Sequence, residues 1–190
     1  MQAHDSTGQE RWLTRYYFTR AAFSFAWVAA ALTAGRQSWL AAAALLVAYP
    51  VWDALANYVD GAKSGGLGRN KTQAVNVAVS LATAIAVAFS LASMNLVLGV
   101  FGAWAILSGL LQLGTALRRW KTHGAQWAMV LSGAQSALAG GFFIAQARMP
   151  AVPSIANVAG YAGVGAAYFL VSAVWLTVTV ARRKVALTRP

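Results

Sequence analysis

The chain has 190 residues, of which 59% are hydrophobic and 10% charged, with a formal net charge of +11. A soluble domain carries roughly 25% Asp, Glu, Lys and Arg because its surface must be hydrated, so this composition excludes an ordinary water-soluble globule. The lack of cysteine excludes disulfides and thiolate chemistry, and basic residues spread in short flanks instead of on one soluble face exclude a nucleic-acid interface.

The apolar residues fall in long blocks, and a bilayer-crossing helix needs about 20 of them at a rise of about 1.5 Å each. Six blocks are predicted as spans: residues 18–34, 39–58, 73–91, 96–117, 126–147 and 155–181. The expected fold class is therefore all-α, a polytopic membrane bundle over residues 18–181. Residues 1–17 are read as a cytoplasmic N-terminal segment and 182–190 as a cytoplasmic basic tail. The first block carries Arg20, so it spans only if that side chain reaches the interface. About 17 polar or aromatic residues precede it, unlike a secretory signal, and it is expected to stay attached.

Charge sets the orientation. Of the 15 Lys and Arg residues, two, Arg36 and Arg148, lie in the connections that follow the odd-numbered spans. Of the other thirteen, twelve lie at the two termini and in the connections that follow the second and fourth spans, and Arg20 lies at the N-terminal edge of the first block; by the positive-inside rule that side is cytoplasmic. Trp12, Tyr16, Tyr17, Tyr58, Trp120 and Trp127 mark that interface and Trp39 the opposite one. The bilayer and its anionic headgroups are the expected partners, with Arg69, Lys71, Arg118, Arg119, Lys121, Arg182 and Arg183 as headgroup contacts.

Asp53 is the most informative residue, because an acidic side chain within a span must face protein or water. Steps of three and four residues place Tyr49, Asp53, Asn57 and Asp60 on one face, just past Pro50, whose missing donor frees a carbonyl. Two readings follow: a titratable proton or cation site, or a residue bonded to Asn57 or paired with Arg20 or Lys63. Polar stripes run along other spans, including Asn76 and Ser80 on the third, Ser108 and Gln112 on the fourth, Ser136 on the fifth and Tyr168 and Thr179 on the sixth. They either line a route for a small solute or join helices at roughly 0.6 kcal/mol each. Asp53, Asn57, Tyr49, Gln112 and Asn76 form the candidate intramembrane polar site.

Small residues four apart, Ala84, Ala88 and Ala92, then Gly133, Ala137 and Gly141, then Ala156 and Gly160, mark close helix contacts within the chain or between copies. Trp104, Ser108, Arg118 and Arg119 recur at one offset as Tyr168, Ser172, Arg182 and Arg183, and Tyr49-Pro-Val-Trp52 echoes Phe101-Gly-Ala-Trp104. That pattern suggests three repeated helical hairpins. Gly65-Gly66-Leu67-Gly68-Arg69-Asn70-Lys71-Thr72 departs from a phosphate-binding loop at Asn70 and has no preceding strand, so its basic residues are assigned to lipid. Four acidic residues and two histidines, His4 and His123, assemble no acid, base and nucleophile set. The chain is expected to be no enzyme and to hold no metal and no cofactor.

The stretch Gly99-Val-Phe-Gly102-Ala-Trp104-Ala-Ile-Leu-Ser108-Gly109-Leu-Leu-Gln112, the turn Arg118-Arg119-Trp120-Lys121, and Trp127-Ala-Met-Val-Leu131-Ser132-Gly133 through Gly140-Gly141 to Pro150 resemble the HdeD-like acid-resistance membrane proteins of bacteria. The match runs over residues 98–150 and is general elsewhere. The resemblance implies a multi-span inner-membrane protein associated with stress or low pH, without a catalytic site to carry over. Beside this non-enzymatic reading stand a small proton, cation or solute conduit using Asp53, and an accessory subunit of a membrane complex. A homo-oligomer or another membrane protein is the further partner considered.

Overall fold

A computed structural model describes residues 2–119 and 126–187, with side chains at 11–114, 117 and 130–182. Among these residues every regular element is helical: α1 (Gln2–Leu32), the single turn α2 (Ala34–Gln37), α3 (Trp39–Lys63), α4 (Lys71–Ser90), α5 (Met94–Arg119), α6 (Gln126–Ala147) and α7 (Ile155–Leu187). Each predicted block lies within a long helix apart from its frayed ends. Helices α1, α3 and α7 outrun their blocks by five residues or more, because no proline interrupts residues 2–17, 59–63 or 182–187. The segment before the first block is thus a continuation of α1.

Four helices are long and apolar enough to cross a membrane among the described residues: Trp39–Lys63, Lys71–Ser90, Met94–Gly114 and Ile155–Arg182. The first block falls short by this measure because α1 carries Arg15 and Arg20 beside polar residues. Of α6, only residues 130–147 have described side chains.

Short connections join the helices at the ends that carry few charges. Ser38 caps α3 by accepting from the Ala41 amide at 3.4 Å, and Asn95 on α5 donates to the carbonyls of Ala147 and Met149 at 3.0 and 3.3 Å. At the basic end the α3–α4 loop turns through Gly65 and Gly66, whose φ angles of +99° and +91° disfavour any side chain. Asn70 fastens that loop by donating to the carbonyls of Ser64 at 2.7 Å and Gly66 at 3.0 Å.

The most extensive pairings are α5 with α6, α1 with α7 and α3 with α4, and lesser contacts of α1 with α3, α4 with α5 and α6 with α7 complete a ring. The ring has a repeating register. Leu46, Leu98 and Ala162, related by the offsets seen in the sequence, are each fully buried on α3, α5 and α7. On α1, α4 and α6, Trp27, Val87 and Phe143 are buried at matching places, as are Ser24, Ala84 and Gly140 one turn earlier. The two helices of each close pair are therefore drawn from neighbouring hairpins, and α1 meets α7 to shut the circle.

The α5·α6 pair is the tightest. A Cβ added at Gly102 would lie 2.8 Å from the Gly140 carbonyl oxygen, and one at Gly109 would lie 2.5 Å from that of Gly133. Only glycine lets the backbones come this near, and such approach supplies dispersion where lipid offers no hydrophobic drive. Gly133 and Ala137 join this seam as the spacing predicted, whereas Gly141 and Gly160 meet nothing within 4 Å and Ala88 and Ala92 are exposed. Gly140, one residue from the predicted Gly141, is the contact, because the position of α5 decides which face of α6 is buried.

Candidate functional site

The apolar core is displaced toward the ends with few charges, where Trp27, Leu46, Val87, Val97, Leu98, Phe101 and Val158 are buried together. Nearer the basic end the interior becomes polar, and Asp53 lies at its centre, 14% exposed at the side chain.

Each helix around Asp53 contributes one interaction. From α1, Arg20 forms an ion pair with Oδ1 of Asp53 and donates from Nη1 to the Tyr16 hydroxyl at 3.0 Å. On α3 itself, Asn57 sits one turn on and donates from Nδ2 to both the Asp53 carbonyl and Oδ2 at 2.9 Å. From α4, the Ser80 hydroxyl donates to Oδ2 at 2.7 Å while accepting from Trp104 Nε1 of α5 at 3.2 Å. From α7, the Phe169 ring lies 4.3 Å from the Arg20 guanidinium carbon, a cation–π contact. Asp53 thereby collects three side-chain donors, and its partners tie α1, α3, α4, α5 and α7 into one junction. Of the alternatives weighed from sequence, pairing with Arg20 and bonding with Asn57 both occur. Lys63 instead lies 5.8 Å from the Trp12 ring centroid.

Tyr49 is buried one turn away, its ring 4.7 Å from Trp27 and 5.9 Å from Trp104. Trp27 Nε1 donates to the Leu45 carbonyl at 2.8 Å, beside the Leu46 carbonyl that Pro50 leaves without its usual donor. Toward the basic end Asp60 accepts from Gln73 at 3.2 Å. Asn76 and Gln112 are half-buried and stand outside the hydrogen bonds that converge on Asp53. Thr83 and Thr179 donate to the carbonyls of Val79 and Trp175 in their own helices. Ser136 does join helices, bonding the Ala105 carbonyl at 2.9 Å and the Tyr161 hydroxyl at 2.7 Å.

The repeating register gives these contacts a common origin. Arg20, Ser80 and Ser136 occupy matching places on α1, α4 and α6, and Phe169, Asp53 and Ala105 occupy matching places on the helices they face. One position thus holds a cation against a ring, a hydroxyl against a carboxylate, and a hydroxyl against a backbone carbonyl. Phe169 carried no signal in the sequence, since its role arises only where α7 closes against α1. Ser80 and Trp104 were visible, one as a stripe member and one as a repeat marker, but their link depends on the register of α4 against α5.

Among the predicted headgroup contacts Arg69, Lys71 and Arg182 are exposed. The side chains of Arg118, Arg119 and Arg183, and all of Lys121, lie outside the described residues, as do Trp120, Trp127, His4 and His123 among the side chains singled out earlier.

Among the described residues, an all-helical bundle with four helices long and apolar enough to cross a membrane points to a membrane protein. Residues 77–145, from α4 through α5 to α6, match the family described as a short repeat of unknown function (DUF308), a repeat associated with HdeD-like membrane proteins. No curated protein and no solved structure matches the chain.

Proposed function

We propose that the chain is a six-span protein of the bacterial inner membrane, of the HdeD-like acid-resistance type, with both termini cytoplasmic. It acts without catalysis, as a structural or partner-binding element in stress or low pH. The observation that carries the non-conducting part is the state of Asp53. Arg20, Asn57 and Ser80 already engage its carboxylate, and the layer of Leu46, Val87, Leu98 and Phe101 lies between it and the far ends of the helices. A site that binds a proton or cation in transit needs free carboxylate lone pairs and a wet path onward, so this arrangement weighs toward a clasp between helices.

Two features support membrane depth for the helices that fall short by composition. Arg20 on α1 meets a carboxylate and two aromatic rings, which offsets the burial of its charge. The glycine contacts of α6 run along α5 from Gly102 to Gly109, within a helix that is itself membrane-length.

Reconstituted liposomes test the function. No pH-driven proton uptake and no cation flux is expected from either the natural chain or Asp53→Asn, whereas flux abolished by Asp53→Asn would establish the conduit. A reporter fused after Lys121 is expected in the cytoplasm, and its appearance on the other side would break the six-span topology.

A further inference from the structure

Among the described residues, the C-terminal half of α7 borders a groove that no neighbouring helix fills. It is about 430 Å³ in volume and is lined by Leu170, Val171, Val174, Trp175, Val178, Thr179 and Arg182. Leu170, Val174, Val178 and Arg182 step by four, and so do Val171, Trp175 and Thr179. Two neighbouring ridges of one helix therefore border a furrow that runs with the axis. Val174 and Trp175 are 47% and 58% exposed, and α7 packs chiefly against α1 while touching α6 only lightly.

We propose that this furrow seats one acyl chain of an anionic phospholipid whose headgroup phosphate is held by Arg182; the proposal rests on the membrane reading above. Three observations choose that occupant. From Leu170 to Arg182 the helix rises about 18 Å, close to the roughly 15 Å of one leaflet's hydrocarbon. Among the described residues the apolar lining ends in one exposed cation, Arg182, at the end where the chain's positive charge gathers, which is the charge order of an anionic lipid read from tail to head. A second copy laid in parallel on the same face would set Arg182 against Arg182, so charge complementarity selects lipid over self-association.

The test is native mass spectrometry of the full chain, purified in detergent, stripped of lipid and titrated with phosphatidylglycerol or with phosphatidylcholine of the same acyl chains. The natural chain is expected to retain phosphatidylglycerol preferentially. Arg182→Gln should lower that retention about five-fold, the effect of one basic residue at a membrane surface, and leave phosphatidylcholine unchanged. Val174→Trp, which fills the furrow, should lower retention of both. Equal retention of the two lipids by the natural chain would overturn the site, as would retention of phosphatidylglycerol undiminished in both variants. So would a dimer that cross-links through Val174→Cys and excludes lipid. A chain that stays dispersed without detergent would instead overturn the membrane reading and this site with it, a failure distinct from lost selectivity in a detergent-dependent chain.

Discussion

Along α5 and α6 the backbones themselves touch, Gly102 at Gly140 and Gly109 at Gly133, and no charge takes part in these contacts. Where α1, α3 and α4 meet, the side chains of Arg20, Asp53 and Ser80 reach across instead. The first seam gains from close packing and tolerates no added atom. The second gains from mutual satisfaction of polar groups and tolerates no missing one. Both answer one difficulty, that apolar helices in lipid have little reason to choose one another over acyl chains.

The charged junction should break hardest. Arg20→Ala leaves Asp53 largely buried without its counter-ion and is expected to destabilise the bundle by about 3–5 kcal/mol, read as a drop in the thermal unfolding midpoint in detergent. An unchanged midpoint would mean the pair is ornamental. At the glycine seam, Gly109→Ala forces a methyl against the Gly133 carbonyl and should lose about 1–3 kcal/mol. The same melt checks it, and a neutral or stabilising result would show that the helices are not in backbone contact there.

Ser80→Ala removes a donor from Asp53 and the acceptor of Trp104 Nε1, which then stays buried without a partner. About 1–2 kcal/mol should be lost, together with a shift in tryptophan fluorescence. A spectrum identical to that of the natural chain would deny the indole contact. At the matching place in the uncharged seam, Ser136→Ala should lose only about 0.6 kcal/mol. If Ser136→Ala proved as harmful as Ser80→Ala, the contrast between the two seams would disappear.

The helical blocks were legible because hydrocarbon admits only segments that satisfy their own backbone, which leaves a long apolar run little choice of structure. Asp53 and Asn57 were legible as neighbours because one helical turn separates them. Tyr49 shared that face, yet its ring went to Trp27 and Trp104 instead of to the carboxylate. Asn76 and Gln112 were grouped with Asp53 on polarity alone, and polarity does not say toward which neighbour a helix face turns. The same non-local geometry chose Gly140 over Gly141 and brought Phe169 to Arg20. Trp104 and Tyr168 marked the repeat in the sequence, and the buried triads Leu46, Leu98, Ala162 and Trp27, Val87, Phe143 give it physical form.

A double-mutant cycle between Arg20 and Asp53 tests the clasp most directly. Arg20→Met and Asp53→Leu should each lower the unfolding free energy, while the double variant, with no charge left to satisfy, should recover to within about 1 kcal/mol of the natural chain. Strictly additive losses, with no recovery in the double variant, would contradict the reading of Asp53 as one half of a bond between helices.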